Sequence, residues 1–170
     1  MRQASAIGVL VLLAGVVWLG MLAGWRRRGA RQLAALDLPP LPPTPAEPGA
    51  PLTADTDGVY VSTTTAGNWL DRVTARGLGA RSAATMAVTA AGVSWLRQGA
   101  PDVFAAANAL VGARRADGIA GKVLPPGGIV VVTWRLGDAE LDTGFRPGSA
   151  ADADRLVGAV ERLAHTGSAR

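Results

Sequence analysis

The chain contains no cysteine. That absence removes disulfide frameworks, iron–sulfur clusters, thiolate zinc sites and cysteine nucleophiles together. Histidine occurs once, at His165, so a multi-histidine metal site is excluded and a Ser-His-Asp triad has only one candidate base. Lysine also occurs once, at Lys122, whereas sixteen of the seventeen basic side chains are arginine. With so much alanine and glycine around it, this bias reads as a coding preference rather than as phosphate chemistry. Charged residues make up only 18% of the chain and aromatics 5%. At 170 residues there is room for one modest domain and its accessories.

The apolar half of the composition is not spread evenly. From Ala6 to Trp25 the sequence runs for twenty residues without a charge. As a helix this stretch spans about 30 Å, the thickness of a bilayer's hydrocarbon core. Trp18 lies inside it, and Trp25 stands where an interfacial aromatic belongs. A cleaved signal peptide would carry its charge ahead of the apolar run and a small-x-small site behind it. Here the charge follows, as Arg26, Arg27, Arg28 and Arg31. The positive-inside rule keeps that cluster, and the chain beyond it, in the cytoplasm, which makes the expected location the plasma membrane with a single span. These arginines also face anionic headgroups. Gly20 and Gly24 form a GxxxG pair through which two copies of the helix can pack.

The net charge of +4 suggests nucleic acid until it is divided by segment. Residues 1–36 hold five arginines and no acid, residues 37–55 three acids, and residues 56–165 eleven basic and ten acidic side chains. The part able to fold as a globule is nearly neutral, so no nucleic-acid partner is expected.

Residues 39–51 contain seven prolines in thirteen positions. Such a stretch favours extended polyproline II and forms neither helix nor central strand. Its expected role, within a linker over 39–55, is a semi-rigid spacer holding a domain about 40 Å from the arginine cluster. A ligand for an SH3-type module is the alternative. The expected layout is a tail over 1–5, a transmembrane helix over 6–25, a basic juxtamembrane segment over 26–38, the linker, a domain over 56–165, and a tail over 166–170.

From Gly58 onward short apolar stretches alternate with glycine. Strands are expected from Val59 into Thr65, over Ala84–Val88 turning at Ala90-Ala91-Gly92 into Val93–Leu96, at Val103–Ala105, and near Leu110–Arg114. The strongest covers Ile129–Leu136, with Val130, Val132, Trp134 and Leu136 on one wholly apolar face. Gly137-Asp138 then turns into a strand marked by Leu141, Thr143 and Phe145. Ser149 and Asp152 fit a capping box for a closing helix. Leu156, Val157, Val160, Leu163 and Ala164 form its apolar stripe, and Asp154, Arg155, Glu161 and Arg162 its polar face. The expected fold class is therefore a transmembrane helix followed by a β-rich α+β domain. About seven antiparallel strands would form a small barrel with the helix plugging an open end.

This order resembles the pleckstrin-homology-like (PH-like) domains of bacterial membrane proteins, and most of all an actinobacterial family with one span. The matching stretches are Tyr60-Val61-Ser62-Thr63-Thr64, Trp69-Leu70-Asp71-Arg72, Gly77-Leu78-Gly79, Gly92-Val93, Gly121-Lys122, Gly127 to Trp134, and Leu141 to Arg146. The resemblance implies a PH-like barrel acting as a binding or scaffolding module, without naming its ligand.

Enzymatic motifs are incomplete. Asp142-Thr143-Gly144 is the aspartic-protease triplet, but such enzymes need two aspartates sharing a proton and this chain has one triplet. Gly118-Ile119-Ala120-Gly121-Lys122 looks like part of a phosphate loop, yet Ala116 and Val123 stand where glycine and Ser/Thr are required. No catalytic residue, metal ligand or cofactor is expected. The expected interaction surface draws on Trp69, Arg72, Arg114, Arg115 and Lys122. Trp95, Trp134 and Arg135 on other strands could join an aromatic–arginine surface, although such tryptophans more often fill a small β core, and Arg76 and Arg81 could join Arg114, Arg115 and Lys122 in a headgroup-binding patch. The resulting expectation is a non-enzymatic adaptor binding an unidentified protein at the inner face of the membrane, with a lipid-headgroup sensor as the alternative.

Overall fold

The computed structural model describes residues 13–21, 23–24, 38–123 and 128–167. Residues 13–21 are helical (α1), with Trp18 and Met21 largely exposed. Among the described residues no helix is long and apolar enough to cross a membrane. Much of the span expected over 6–25 lies outside the described residues, as do Ala6, Trp25, Arg26, Arg27, Arg28 and Arg31. Gly20 and Gly24 are described, and among the described residues nothing lies within 4 Å of a Cβ placed on either.

The body of the protein is an antiparallel sheet of seven strands with a C-terminal helix. The strands are β1 (Thr56–Thr65), β2 (Ser82–Thr89), β3 (Gly92–Arg97), β4 (Val103–Ala106), β5 (Leu110–Ala116), β8 (Ile129–Leu136) and β9 (Ala139–Pro147). A separate hairpin, β6 (Gly118–Ile119) with β7 (Lys122–Val123), is inserted between β5 and β8. The sheet order is β4-β3-β2-β1-β9-β8-β5. Its two edge strands, β4 and β5, are consecutive in the chain and are joined by a single 3-10 turn at Ala107–Ala109. Helix α2 (Ala150–Gly167) packs chiefly on β5 and on that turn, so it lies over the seam where the rolled sheet closes.

Alternation built this arrangement. Val130, Val132, Trp134 and Leu136 point inward from β8, as do Met86 and Val88 from β2 and Val93 and Trp95 from β3, all in one core. From α2 the core receives Ala153, Leu156, Ala159, Val160, Leu163 and Ala164. Each fully buried valine or leucine contributes about 1.5–3 kcal/mol. The Ser149 hydroxyl accepts from the Asp152 N–H (3.1 Å), as the capping pattern predicts, and donates to the Asp152 carboxylate (2.7 Å). The polar face of α2 departs from expectation at Glu161, whose Oε1 accepts from the Ala113 N–H of β5 (2.9 Å). A helix beside an edge strand thus supplies the acceptor that a further strand would have supplied.

The core also holds a buried polar chain. Tyr60 Oη donates to the Leu78 carbonyl (3.0 Å) and lies 2.6 Å from Thr63 Oγ1. Thr63 Oγ1 is 2.8 Å from Thr143 Oγ1, which accepts from Trp134 Nε1 (2.9 Å). One direction satisfies every member: Trp134 to Thr143 to Thr63 to Tyr60 to the carbonyl. Burial, the dominant cause, pushes the Tyr60 phenol up to about 12 against the lowering by Thr63, Arg97 and Thr143. The Arg97 guanidinium stacks 4.0 Å over the Tyr60 ring and donates to Ser82 Oγ and to the carbonyls of Gly77, Ala80 and Pro101. It fastens the loop after β1 to the turn after β3.

A second, smaller core lies on the outer face of the same sheet. Val61, which follows the inward-facing Tyr60 on β1, points outward and joins Ile119, Ile129 and Val131. The β6–β7 hairpin lies over this cluster. A Cβ at Gly144 would meet Ile119 Cγ2 at 2.7 Å, so glycine there is a packing requirement. The Asp142-Thr143-Gly144 triplet is accordingly the middle of β9. Asp142 pairs with Arg114, Thr143 belongs to the inner polar chain, and Gly144 admits Ile119. Gly118–Lys122 forms a hairpin turn with Ala120 at φ 55° and Gly121 at φ 74°, the two left-handed residues of a type I′ turn.

The proline-rich stretch does not stand away from the domain as a spacer. Leu38 is 4% exposed and belongs to the main core, and Leu41 packs against it. The carbonyls of Pro48 and Ala50 accept from the N–H groups of Ala91 and Ala90 (3.1 and 3.0 Å), and the Leu52 N–H donates to the Val88 carbonyl (2.8 Å). Arg76 Nη2 donates to the Leu38 carbonyl (3.0 Å). The physical reason is that proline lacks an N–H but keeps its carbonyl. A segment unable to act as a central strand can still dock through acceptors.

Candidate interaction surface

The loop from Ala66 to Arg81 leaves β1 and returns to β2. Its first part is a tight projection. The N–H of Thr65 donates to the Asp71 carbonyl (3.1 Å), Asn68 N–H to Thr65 O (3.2 Å) and Asp71 N–H to Asn68 O (3.0 Å). Thr65 Oγ1 donates to Asp71 Oδ2 (2.9 Å), and the Leu70 N–H donates to Asn68 Oδ1 (3.3 Å). Arg72 bridges back to Thr64. Polar turn residues thus close the base of the projection and leave Trp69 and Leu70 at its tip, 46% and 62% exposed.

The β6–β7 hairpin supports this tip from one side. Arg72 Nη2 donates to the Ala120 carbonyl (3.2 Å), and Leu70 Cδ2 lies 3.8 Å from where a Cβ on Gly121 would stand. Of the expected surface residues, the structure therefore brings Trp69 and Arg72 together with the turn that precedes Lys122. It does not gather the other two arginines there.

Arg114 and Arg115 follow each other on β5 and each is held by an acid. Arg114 Nη2 donates to Asp142 Oδ2 (2.8 Å) and Arg114 Nη1 to Asp142 Oδ1 (3.3 Å). Thr133 Oγ1 donates to the same carboxylate at 2.6 Å. Burial raises the Asp142 carboxyl, but the hydrogen bonds from Arg114 and Thr133, the Arg114 charge and the Gly67 backbone outweigh it and hold the group below the usual aspartate range. Arg115 Nη1 reaches Asp154 of α2 at 2.8 Å. Both cations serve the fold by joining β5 to β9 and to α2. Trp95 and Trp134 are fully buried.

Sequence reasoning passed over Leu70, although an apolar pair between Asn68 and Asp71 is itself a signal for a displayed tip. It also missed a groove of about 600 Å³ beside the C-terminal end of α2, lined by Leu52, Ala90, Ala107, Asn108, Arg162 and Leu163. That groove joins four separate segments and has no local signature. Among the described residues no group of three or more His, Cys, Asp or Glu side chains is placed to hold a metal ion.

The model of a family described as bacterial PH domain-like matches residues 38–161, or 124 of the 170 residues. No curated protein matches the chain. The matched stretch begins at Leu38, the residue that the structure buries in the core, and not at the first strand.

Proposed function

The chain belongs to the bacterial PH domain-like family, and from that premise we propose that it is a non-enzymatic, single-pass membrane protein whose domain is a protein-interaction adaptor on the cytoplasmic face. The observation that carries the reading is the Trp69–Leu70 tip. Two large apolar side chains stand in solvent on a projection that its own hydrogen bonds have already ordered. Tryptophan is among the residues that dominate binding energy, and a pre-ordered loop spends little entropy on association. The anchoring half of the reading is supported by the twenty uncharged residues from Ala6 to Trp25 and the arginines that follow them.

A headgroup sensor is the second reading. The carboxylates that hold Arg114 and Arg115 lie within the domain, which leaves fewer cations for a phosphate than the sequence alone suggests. Photocrosslinking decides between the two. With benzoylphenylalanine at position 69 of the full chain in its native membrane, the adaptor reading expects discrete protein adducts that a Leu70→Asp change removes. Adducts to lipid alone would replace the adaptor reading with the headgroup reading.

A further inference from the structure

Two features of residues 38–52 do not fit a permanent part of the barrel. The first is how little holds them. Leu38 is the one residue of the segment buried in the core, and of the four main-chain hydrogen bonds named above three use the segment's carbonyls as acceptors. Seven of the thirteen residues over 39–51 have no N–H, so the segment cannot zip into a ladder. The second is the conformation of the residue that grips it. Arg76 stands at φ 55°, a left-handed backbone uncommon for arginine, and its guanidinium holds the Leu38 carbonyl.

We propose that residues 38–52 are a releasable strap whose docking at Leu38 and along the β2–β3 turn sets the reach of the domain from the chain before it. A proline-rich segment is stiff both on and off the surface, so docking costs it less chain entropy than an ordinary loop would lose. A few contacts therefore suffice to hold it, and their loss suffices to free it. Docked, the preceding chain meets the folded body at Leu38. Released, it meets the body at Thr56, and the seventeen residues of 39–55 add roughly 50 Å of extended reach. Release also withdraws Leu52, one wall of the groove beside α2. Reach and groove are then two readings of one equilibrium. Reach from a membrane rests on the anchored reading above, whereas the strap equilibrium does not.

The absence of native cysteine allows the test in the full chain. Spin labels on Glu47→Cys, in the exposed strap, and Asp138→Cys, in the exposed β8–β9 turn, report the strap's position. The expected result is one narrow distance that gives way to a broad distribution in Leu38→Asp. Arg76→Gly, which removes the guanidinium and relieves the backbone, shifts part of the population. In both variants the near-ultraviolet circular dichroism of buried Trp95 and Trp134 persists. Unchanged distances in both variants overturn the proposal. So does loss of the tryptophan signal together with the strap, since the segment would then be an inseparable part of the core. The same labelled chain, offered to nanodiscs, separates the two readings. If the chain stays out of the bilayer, the membrane-reach part falls, and the distances measured in detergent still decide the strap.

Discussion

Helix α2 and the strap over residues 38–52 both cover the core, and they do so by opposite means. The helix buries six side chains on one stripe, caps its own first turn with Ser149, and offers Glu161 to the edge of β5. The strap fully buries Leu38 alone and docks the rest of its length chiefly through carbonyls. One is held by repetition, the other by a few separate contacts. A marginal helix draws its stability from the packing of its apolar face, so α2 and the sheet should form and fail together. The strap has no such dependence, because its contacts are made with groups that the barrel has already placed.

The comparison breaks first at Leu156, where the largest effect is expected. Leu156→Ala should cost about 2–5 kcal/mol, and Leu156→Asp more, because the charge is buried without a partner. Against a total of about 5–15 kcal/mol the loss will be plain in a urea melt. A helix that merely rested on the barrel would leave the melt midpoint unchanged.

Next in size is the pair that joins β5 to β9. Arg114→Ala should cost about 1–3 kcal/mol by stripping Asp142 of its bidentate partner. The folded-state carboxyl lies below its ordinary value. Its contribution is therefore complete above the unfolded value of about 3.9 and is lost as pH falls through the lower folded one. Acid melts of the two proteins should converge over that window. Parallel melts would mean that Arg114 does not set the Asp142 titration.

Leu38→Ala should cost less, about 1–2 kcal/mol, even though leucine in a closed core loses more. The penalty is capped because the strap can leave the surface instead of leaving a cavity beneath it. A loss equal to that of Leu156→Ala would place the strap in the same class as the helix. Smallest of all, Trp69→Ala should move stability by less than about 0.5 kcal/mol, since the side chain is half in solvent. A large shift in the thermal melt would make Trp69 a structural residue and remove the main support for the interaction surface.

The same contrast explains what could be read from the chain alone. The hairpins β2–β3 and β8–β9 and the helix α2 are announced by periodic apolar residues, as at Val130, Val132, Trp134 and Leu136, and the strands β4 and β5 only by short apolar starts. The strap is not, because a single leucine before a run of prolines has no period and its composition is that of a linker. The β6–β7 hairpin has two-residue strands whose meaning lies in Ile119 meeting Gly144, a contact across the sheet. The role of Arg114 was hidden for a related reason. Its pairing with Asp142 depends on the registers of β5 on β8 and of β8 on β9. Trp69 was legible as a loop residue, whereas the hydrogen bonds that display it had to be seen.

Native-state hydrogen exchange on the full chain compares the two covers in one experiment. The N–H groups of Leu52, Ala90 and Ala91 report the strap, and that of Ala113, bonded to Glu161, reports the helix against β5. The account predicts that the first set exchanges through a local opening insensitive to denaturant, while Ala113 exchanges with the buried strands in the global transition. A single opening free energy shared by both sets would contradict it.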